Sequence, residues 1–193
     1  MNRGDINLAL RGKLGTKAKY LGCFAVDEIL DLNLRNRDEK KILVFIVNIL
    51  SSNEVKQMEH WVTIAVFNSN KVYWFDSLGL NPGDYNNYFR LFLDKYHFQV
   101  FSSAPNQLQG SNSLLCGFYA LTFTHLVSKL GIPKTLQYLS NNLSSTDLHF
   151  NDFFVFVYCL KNLKLKSCPT LWRKVKPWFP QKYCKSIRRK QVM

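Results

Sequence analysis

His60, Asp76, Gln109 and Cys116 follow one another along this 193-residue chain, and their side chains can do nucleophilic and acid–base chemistry. A thiolate is a strong nucleophile, an imidazole can take the thiol proton, and a carboxylate can orient the imidazole. A side-chain amide can donate to the oxyanion that forms when a thiolate attacks a carbonyl. The types and order predict a cysteine peptidase, with Cys116 as nucleophile, His60 as general base and then acid, Asp76 as orienting acid and Gln109 as oxyanion donor.

The segment around Cys116 predicts where the nucleophile lies. Leu114 to Val127 is an apolar stretch of helical length, and Ser113 directly before it is the expected N-cap. Cys116 would then lie in the first helical turn. Free backbone N–H groups and the positive end of the helix dipole favour a thiolate there.

The spacing of the histidine and the acid supports a shared site. Residues 61–67 and 71–75 predict a β-hairpin that turns at residues 68–70. If the hairpin is symmetric about Ser69, Asp76 faces Val62, and His60 lies two residues further along the same strand. Even spacing places His60 and Asp76 on one face, as diagonal neighbours about 7–8 Å apart at Cα.

Each of these residues also has a simpler interpretation. Cys116 could be a buried structural cysteine, and His60 a hydrogen-bonded polar residue at a strand end. Asp76 could begin a turn, and Gln109 could belong to an ordinary loop. Taken one at a time, the simpler interpretations are favoured. The combination of four suitable types in order and at compatible spacing favours the site.

The same residues resemble the adenovirus-type maturation proteases (the adenain-like family), which also occur in virophages and virus-derived transposons. The resemblance rests on His60-Trp61, on an acid sixteen residues after the histidine, and on the string QGSNSLLCG from Gln109 to Gly117. Lys19 to Gly22 is also similar to the N-terminal segment of that family. The SUMO-specific proteases share the residue order, but their glutamine usually stands one residue nearer the cysteine.

The resemblance implies an endopeptidase that processes viral capsid and core precursor proteins during particle maturation, in the virion and the infected host cell. It implies that Trp61 lines the substrate groove, although core packing is an equal alternative. It also suggests activation by a peptide or by DNA. Phe98 stands where such enzymes carry the cysteine that links an activating peptide, which argues against covalent activation of that kind.

Charge is concentrated at the C-terminal end. The net charge is +13, yet residues 161–193 contain eleven basic residues and no acid, so the first 160 residues carry only +2. We expect a peptidase domain over residues 1–165 and a basic tail over residues 166–193 that binds nucleic acid. The tail residues predicted to bind phosphate are Lys166, Arg173, Lys174, Lys176, Lys182, Lys185, Arg188, Arg189 and Lys190. A solubilising tail or a nuclear import signal is the simpler alternative.

Two other functions are compatible with the sequence. One is a protease of ubiquitin-like modifiers, which would use the same four residues. The other is a non-enzymatic nucleic-acid-binding domain whose function lies in the basic tail. The spacing of Gln109 and Cys116 favours the adenovirus-type endopeptidase over the modifier protease. The four-residue pattern favours an enzyme over the binding domain.

Composition limits the remaining possibilities. The five cysteines are odd in number and widely spaced, so a reducing compartment is expected rather than a disulfide framework or secretion. No Cys-x-x-Cys occurs, and neither a zinc site nor another cofactor is expected. No apolar run approaches the ~20 residues of a membrane span, and no signal peptide is expected. We expect a monomer without membrane contact.

The chain is predicted to be α+β, with a central mixed or antiparallel sheet packed against the buried helix that carries the nucleophile, in a papain- or SUMO-protease-like architecture. Weak helical character extends over residues 5–21, and residues 42–50 read as a strand buried on both faces. Gly131 and Pro133 are expected to end the cysteine helix. The other predicted elements are a helix at 85–95, a strand at 97–102, and helices at 135–143 and 147–163.

Overall fold

The computed structural model describes residues 1–34, 41–54, 59–68, 70–103 and 106–164, which form an α+β fold. The α-helices of these ranges are α1 (Arg3–Leu10), α2 (Asn87–Lys95), α3 (Cys116–Leu130), α4 (Ile132–Asn142) and α5 (Leu148–Leu163). The strands are β1 (Ala18–Ala25), β2 (Ile42–Asn48), β3 (Trp61–Phe67), β4 (Lys71–Phe75) and β5 (Gln99–Ser102). Short 3-10 turns occur at Glu28–Asp31 and Pro82–Asp84.

The five strands form one mixed sheet in the order β1-β2-β3-β4-β5. The central strands β2, β3 and β4 are antiparallel, while β1 and β5 run parallel to their neighbours at the two edges. Apolar residues alternate between two cores across β2. Val44 and Ile46 face the core that contains α3, whereas Phe45 and Val47 face the core that contains α2. The prediction of a strand buried on both faces is confirmed.

Helix α3 lies at the centre of the fold. Thirteen of its fifteen residues are buried, and it packs against β1, β2 and β3 on one side and against α1, α4 and α5 on the others. An apolar surface all round is the pattern of a helix enclosed by other elements. Gly131 ends α3 with a φ of 78°, as the sequence predicted. Pro133 lies in the first turn of α4, which begins three residues earlier than predicted.

The β3–β4 hairpin has the predicted register. Thr63 is opposite Phe75 and Ala65 is opposite Tyr73, so the strands are symmetric about residue 69. Asn68 takes a φ of 56°, a left-handed conformation that asparagine tolerates better than most residues. The even spacing of His60 and Asp76 therefore places them on the same side of the sheet.

Residues 5–21 differ from the prediction. Helix α1 ends at Leu10, and residues 18–25 form the edge strand β1 instead of continuing the weak helix. The connection is fixed at Gly15, whose N–H binds the Ser128 hydroxyl and where a Cβ would lie 2.5 Å from the Ser128 carbonyl oxygen. Only glycine fits so close to α3, and this approach directs the chain onto β2. The other predicted elements are present with ends shifted by up to three residues.

Candidate active site

The structure brings the four predicted residues together at one end of the sheet. His60 directly precedes β3, Asp76 directly follows β4, and Cys116 is the first residue of α3. His60, Gln109 and Cys116 line a cleft of about 790 Å³. Asp76 lies beneath the cleft and is 0% exposed. This arrangement follows from the hairpin register and from the position of α3 across the sheet.

His60 interacts with both of its predicted partners. Its Nε2 lies 2.8 Å from Oδ1 of Asp76. The Cys116 thiol, which donates to the backbone carbonyl of Glu59 at 3.7 Å, is close enough to raise the pKa of the His60 ring. Because Nε2 is engaged by the carboxylate, Nδ1 is the ring nitrogen left for the thiol. A proton can therefore pass from Cys116 to Nδ1 while Asp76 holds the ring.

The protonation of His60 reflects these contacts. Burial lowers the pKa of the imidazole, but the hydrogen bonds to Asp76 and Cys116 and the charges of these two groups outweigh it and raise the pKa to about 9. The ring is therefore stabilised as an imidazolium near neutral pH.

Asp76 is held by several groups besides His60. Its Oδ1 also accepts from the backbone N–H of Leu78 at 2.8 Å, and its Oδ2 accepts from the hydroxyl of Tyr85. The Ser103 hydroxyl bonds the backbone N–H and carbonyl of Asp76. Such donors offset the cost of burying a carboxyl group away from water. Its position beneath the histidine is thus fixed from all sides.

Tyr85 is a site residue that the sequence analysis missed. Besides donating to Asp76, its ring stacks on the His60 ring with centroids 6.1 Å apart, and it lines the cleft. Burial, followed by the contact with Asp76, raises the pKa of Tyr85 well above its usual value, so the hydroxyl keeps its proton and remains a donor. Its place after the Pro82–Asp84 turn carried no signal of this role.

The predicted N-cap of α3 is wrong. The cap residue is Leu115, because its backbone carbonyl already accepts from the N–H groups of Phe118 and Tyr119. The leucine side chain has no acceptor, so no side chain caps the helix. The Ser113 hydroxyl instead accepts from the N–H of Leu115 at 3.3 Å. Without a capping side chain, the first N–H groups of α3 remain available to an anion beside Cys116.

Gln109 lies in the loop between β5 and α3 and is buried. Its Nε2 donates to the carbonyl of Ser113 at 2.6 Å, and its backbone N–H donates to the carbonyl of Ser77 at 2.9 Å. These bonds hold the amide in the same cleft as Cys116. A buried side-chain amide in the same cleft as a thiol is the type of group that can donate to an oxyanion.

Trp61 lies both in the wall of the cleft and in the core. It lines the cleft, yet it is only 4% exposed and belongs to the core around α3. Its indole N–H donates to the carbonyl of Met1 at 3.2 Å. A Cβ at Gly117 would lie 3.2 Å from the Met1 sulfur and 3.5 Å from the Trp61 ring, so the absence of a side chain at Gly117 permits this packing.

Asp152 of α5 is a second residue that the sequence did not indicate. Its carboxyl group hydrogen-bonds Ser113, the backbone of Gly110 and, at 3.0 Å, the hydroxyl of Tyr119. That hydroxyl also lies 2.8 Å from the carbonyl of Leu108, and one hydrogen cannot serve two acceptors. Both contacts are satisfied when Asp152 is protonated. Burial raises the pKa of Asp152 to about 6, although these hydrogen bonds oppose the rise.

The remaining predicted residues lie elsewhere. The basic residues predicted to bind nucleic acid lie in 166–193, outside the described residues. Phe98 packs in the core that contains α2. Within the described ranges, no helix is both long and apolar enough to cross a bilayer. Among the same residues, no group of His, Cys, Asp or Glu side chains is placed to hold a metal ion.

Comparison with known proteins bears on the fold. No protein-family model matches the chain, and no curated protein matches it. Among solved structures, the chain is similar to the central domain of the uncharacterized Lpg1148 protein from Legionella pneumophila, with a TM-score of 0.55 and 14% sequence identity. The match covers 85% of this chain and 96% of the other. At this identity the similarity supports an α+β fold and nothing about activity.

The thiols differ enough for a labelling prediction. Burial raises the pKa of the Cys23 thiol to about 12, and Cys159 is fully buried, whereas Cys116 lines the cleft beside His60. Iodoacetamide reacts with thiolates. We expect Cys116 to be alkylated faster than Cys23 and Cys159, as measured by peptide mass spectrometry over time. Earlier labelling of Cys23 in the folded protein would contradict the proposed environment of Cys116.

The raised pKa of His60 predicts a dependence of stability on pH. The folded protein binds a proton at His60 more tightly than the unfolded chain, whose histidine titrates near 6.5. The stabilisation is complete below pH 6.5 and is lost as pH rises to about 9. The slope is at most about 1.4 kcal/mol per pH unit. Urea unfolding between pH 6 and 9 should show a shallower decline for His60→Gln than for wild type.

A matched control is the exposed His149 of α5. His149→Gln should retain the wild-type decline. Equal slopes for wild type and His60→Gln would show that His60 does not bind its proton more tightly in the folded state.

Proposed function

We propose that this chain is a cysteine endopeptidase with a papain- or SUMO-protease-like architecture. The observation that carries the proposal is the placement of His60 between the buried carboxylate of Asp76 and the thiol of Cys116, at the start of a buried helix without a side-chain cap. A histidine with a purely structural role needs hydrogen-bond partners. It does not need a buried carboxylate on one side of its ring and a cysteine of the cleft on the other.

The groups present account for each step of peptide hydrolysis. The thiol proton of Cys116 passes to Nδ1 of His60 before the attack, which gives the imidazolium, and the Cys116 sulfur then bonds to the peptide carbonyl carbon. The carbonyl oxygen becomes an oxyanion that accepts from Nε2 of Gln109 and the backbone N–H of Cys116. When the C–N bond breaks, His60 gives its proton to the leaving amine. His60 then deprotonates a water that attacks the thioester, which releases the acid product and restores the thiol.

Asp76 acts through His60 in this scheme. By accepting from Nε2 it keeps Nδ1 directed at Cys116, and its charge stabilises the imidazolium that forms twice in each turnover. Tyr85 and the N–H of Leu78 in turn hold the carboxylate.

We further propose the adenain-like type, with viral capsid and core precursors as substrates. The support is the resemblance of the segments around His60 and Cys116 described above. The same proposal includes activation of the protease by a peptide or by DNA. It also includes tethering of the enzyme to nucleic acid by the basic residues of 166–193. Eleven cations without an acid in residues 161–193 attract phosphate irrespective of sequence.

The substrate class is tested by offering both kinds of protein. Purified chain is incubated with the structural precursors encoded in its own genome and, separately, with fusions of ubiquitin-like modifiers, and new N-termini are sequenced. Cleavage of the precursors supports the proposal, and cleavage of the fusions alone supports the modifier protease. If neither is cleaved and Cys116→Ala binds DNA with steep salt dependence, the nucleic-acid-binding alternative is favoured.

A further inference from the structure

Ser77 follows Asp76 directly and makes three hydrogen bonds to the loop that carries Gln109. Its carbonyl accepts from the backbone N–H groups of Leu108 and Gln109, both at 2.9 Å. Its hydroxyl donates to Oε1 of Gln109 at 2.6 Å. Ser77 is 1% exposed and Gln109 is 2% exposed, so no solvent competes for the hydroxyl–amide bond. One residue therefore joins the strand that ends at the acid to the predicted oxyanion donor.

The hydroxyl determines which end of the amide faces which neighbour. Ser77 donates to Oε1, and Nε2 donates to the carbonyl of Ser113 at 2.6 Å. If the amide were turned over, its oxygen would face the Ser113 carbonyl and two acceptors would meet without a hydrogen. Nε2 carries two hydrogens, and the bond to Ser113 uses one of them. The second is left for an acceptor in the cleft.

We infer that Ser77 is a positioning residue for the reaction, because its hydroxyl holds the Gln109 amide with the nitrogen toward the oxyanion. The inference rests on the proposed function. The positioning role of Ser77 differs from a role in stability alone, because positioning affects only the steps in which a carbonyl oxygen gains negative charge. Reactions of Cys116 that form no oxyanion should not depend on Ser77.

Two small reagents distinguish a role of Ser77 in oxyanion stabilisation from a role in stability alone, and neither requires knowledge of the natural substrate. With 4-nitrophenyl acetate, the Cys116 sulfur bonds to the carbonyl carbon and an oxyanion forms. Its collapse breaks the C–O bond and releases 4-nitrophenolate, leaving an acetyl thioester. With iodoacetamide, the sulfur bonds to the methylene carbon as the C–I bond breaks and iodide leaves, without an oxyanion. The ratio of the two rate constants at Cys116 isolates stabilisation of the oxyanion.

Ser77→Ala should acylate at least about tenfold more slowly than wild type, with its alkylation rate unchanged. The loss should stay below the roughly 10²–10³ expected for Gln109→Ala, which removes the donor itself. Ser77→Thr keeps a hydroxyl and should restore much of the acylation rate. Ser128→Ala is the matched control, because it deletes another buried serine hydroxyl, which makes two hydrogen bonds at the far end of α3. It should change neither rate.

A second variant tests the orientation without altering Ser77. Gln109→Glu retains an oxygen for the Ser77 hydroxyl but replaces the nitrogen, so it should acylate as slowly as Gln109→Ala. Wild-type acylation by Ser77→Ala or by Gln109→Glu would overturn the role of Ser77, and so would a parallel fall of acylation and alkylation in Ser77→Ala. If wild type is acylated no faster than Cys116→Ala, the proposed function itself fails, and the role of Ser77 with it.

Discussion

Cys116→Ala and Cys116→Ser are expected to fold as the wild type does and to lose peptidase activity by about 10⁶-fold, the scale seen when a protease loses its nucleophile. Alanine leaves no nucleophile. Serine keeps the shape, but an alkoxide is far harder to form than a thiolate. Turnover and melting temperature are measured together, so that loss of chemistry is distinguished from loss of fold.

The matched control is Cys23→Ala. Cys23 is 5% exposed and Cys116 is 6% exposed, so both substitutions remove a buried sulfur of similar accessibility. Cys23 lies in β1 and is not part of the cleft lining. We expect Cys23→Ala to retain wild-type turnover. Activity that survives Cys116→Ala would assign the nucleophile elsewhere.

Asp76→Asn is expected to lower turnover by up to about 10⁴-fold with little change in KM. The amide has the size of the carboxylate and fits beneath His60, but it carries no charge to stabilise the imidazolium. If its nitrogen faces Nε2, the ring must accept there and carry its proton on Nδ1. Nδ1 could then no longer take the proton of Cys116.

Asp147→Asn makes the same chemical change at the N-cap of α5, where asparagine caps as well as aspartate does. It should leave turnover unchanged. A titration of the His60 ring followed by NMR should show a lower pKa in Asp76→Asn than in wild type, because the charge that raises it is gone. Near-wild-type turnover with an unaltered His60 pKa would exclude Asp76 as the orienting acid.

The features that were predictable from sequence are those set by local spacing. Symmetry about residue 69 predicts the hairpin register, and that register places His60 and Asp76 on one face. The apolar run of α3 and the glycine at its end were equally visible. In each case, residues close in the chain determine the structure.

The features that were missed depend on partners distant in the chain. Strand β1 lacks a clear alternation of apolar and polar residues, and it is a strand because it pairs with β2 and because Gly15 approaches Ser128. The contacts of Asp152 with Tyr119 and of Ser77 with Gln109 join residues more than thirty positions apart. In the sequence alone, Ser77 is typical of a turn and Asp152 of a helix, because their hydrogen-bond partners become neighbours only in the folded chain.

The central claim, that Cys116, His60, Asp76 and Gln109 form one peptide-hydrolysing centre, is tested most directly by proteolysis of a peptide library. Wild-type chain and Cys116→Ala are incubated with peptides from a denatured proteome, and new N-termini are identified by mass spectrometry. We predict new termini with a common sequence around the cut in the wild-type sample and none above background in the Cys116→Ala sample. Identical sets of termini in the two samples would contradict the claim.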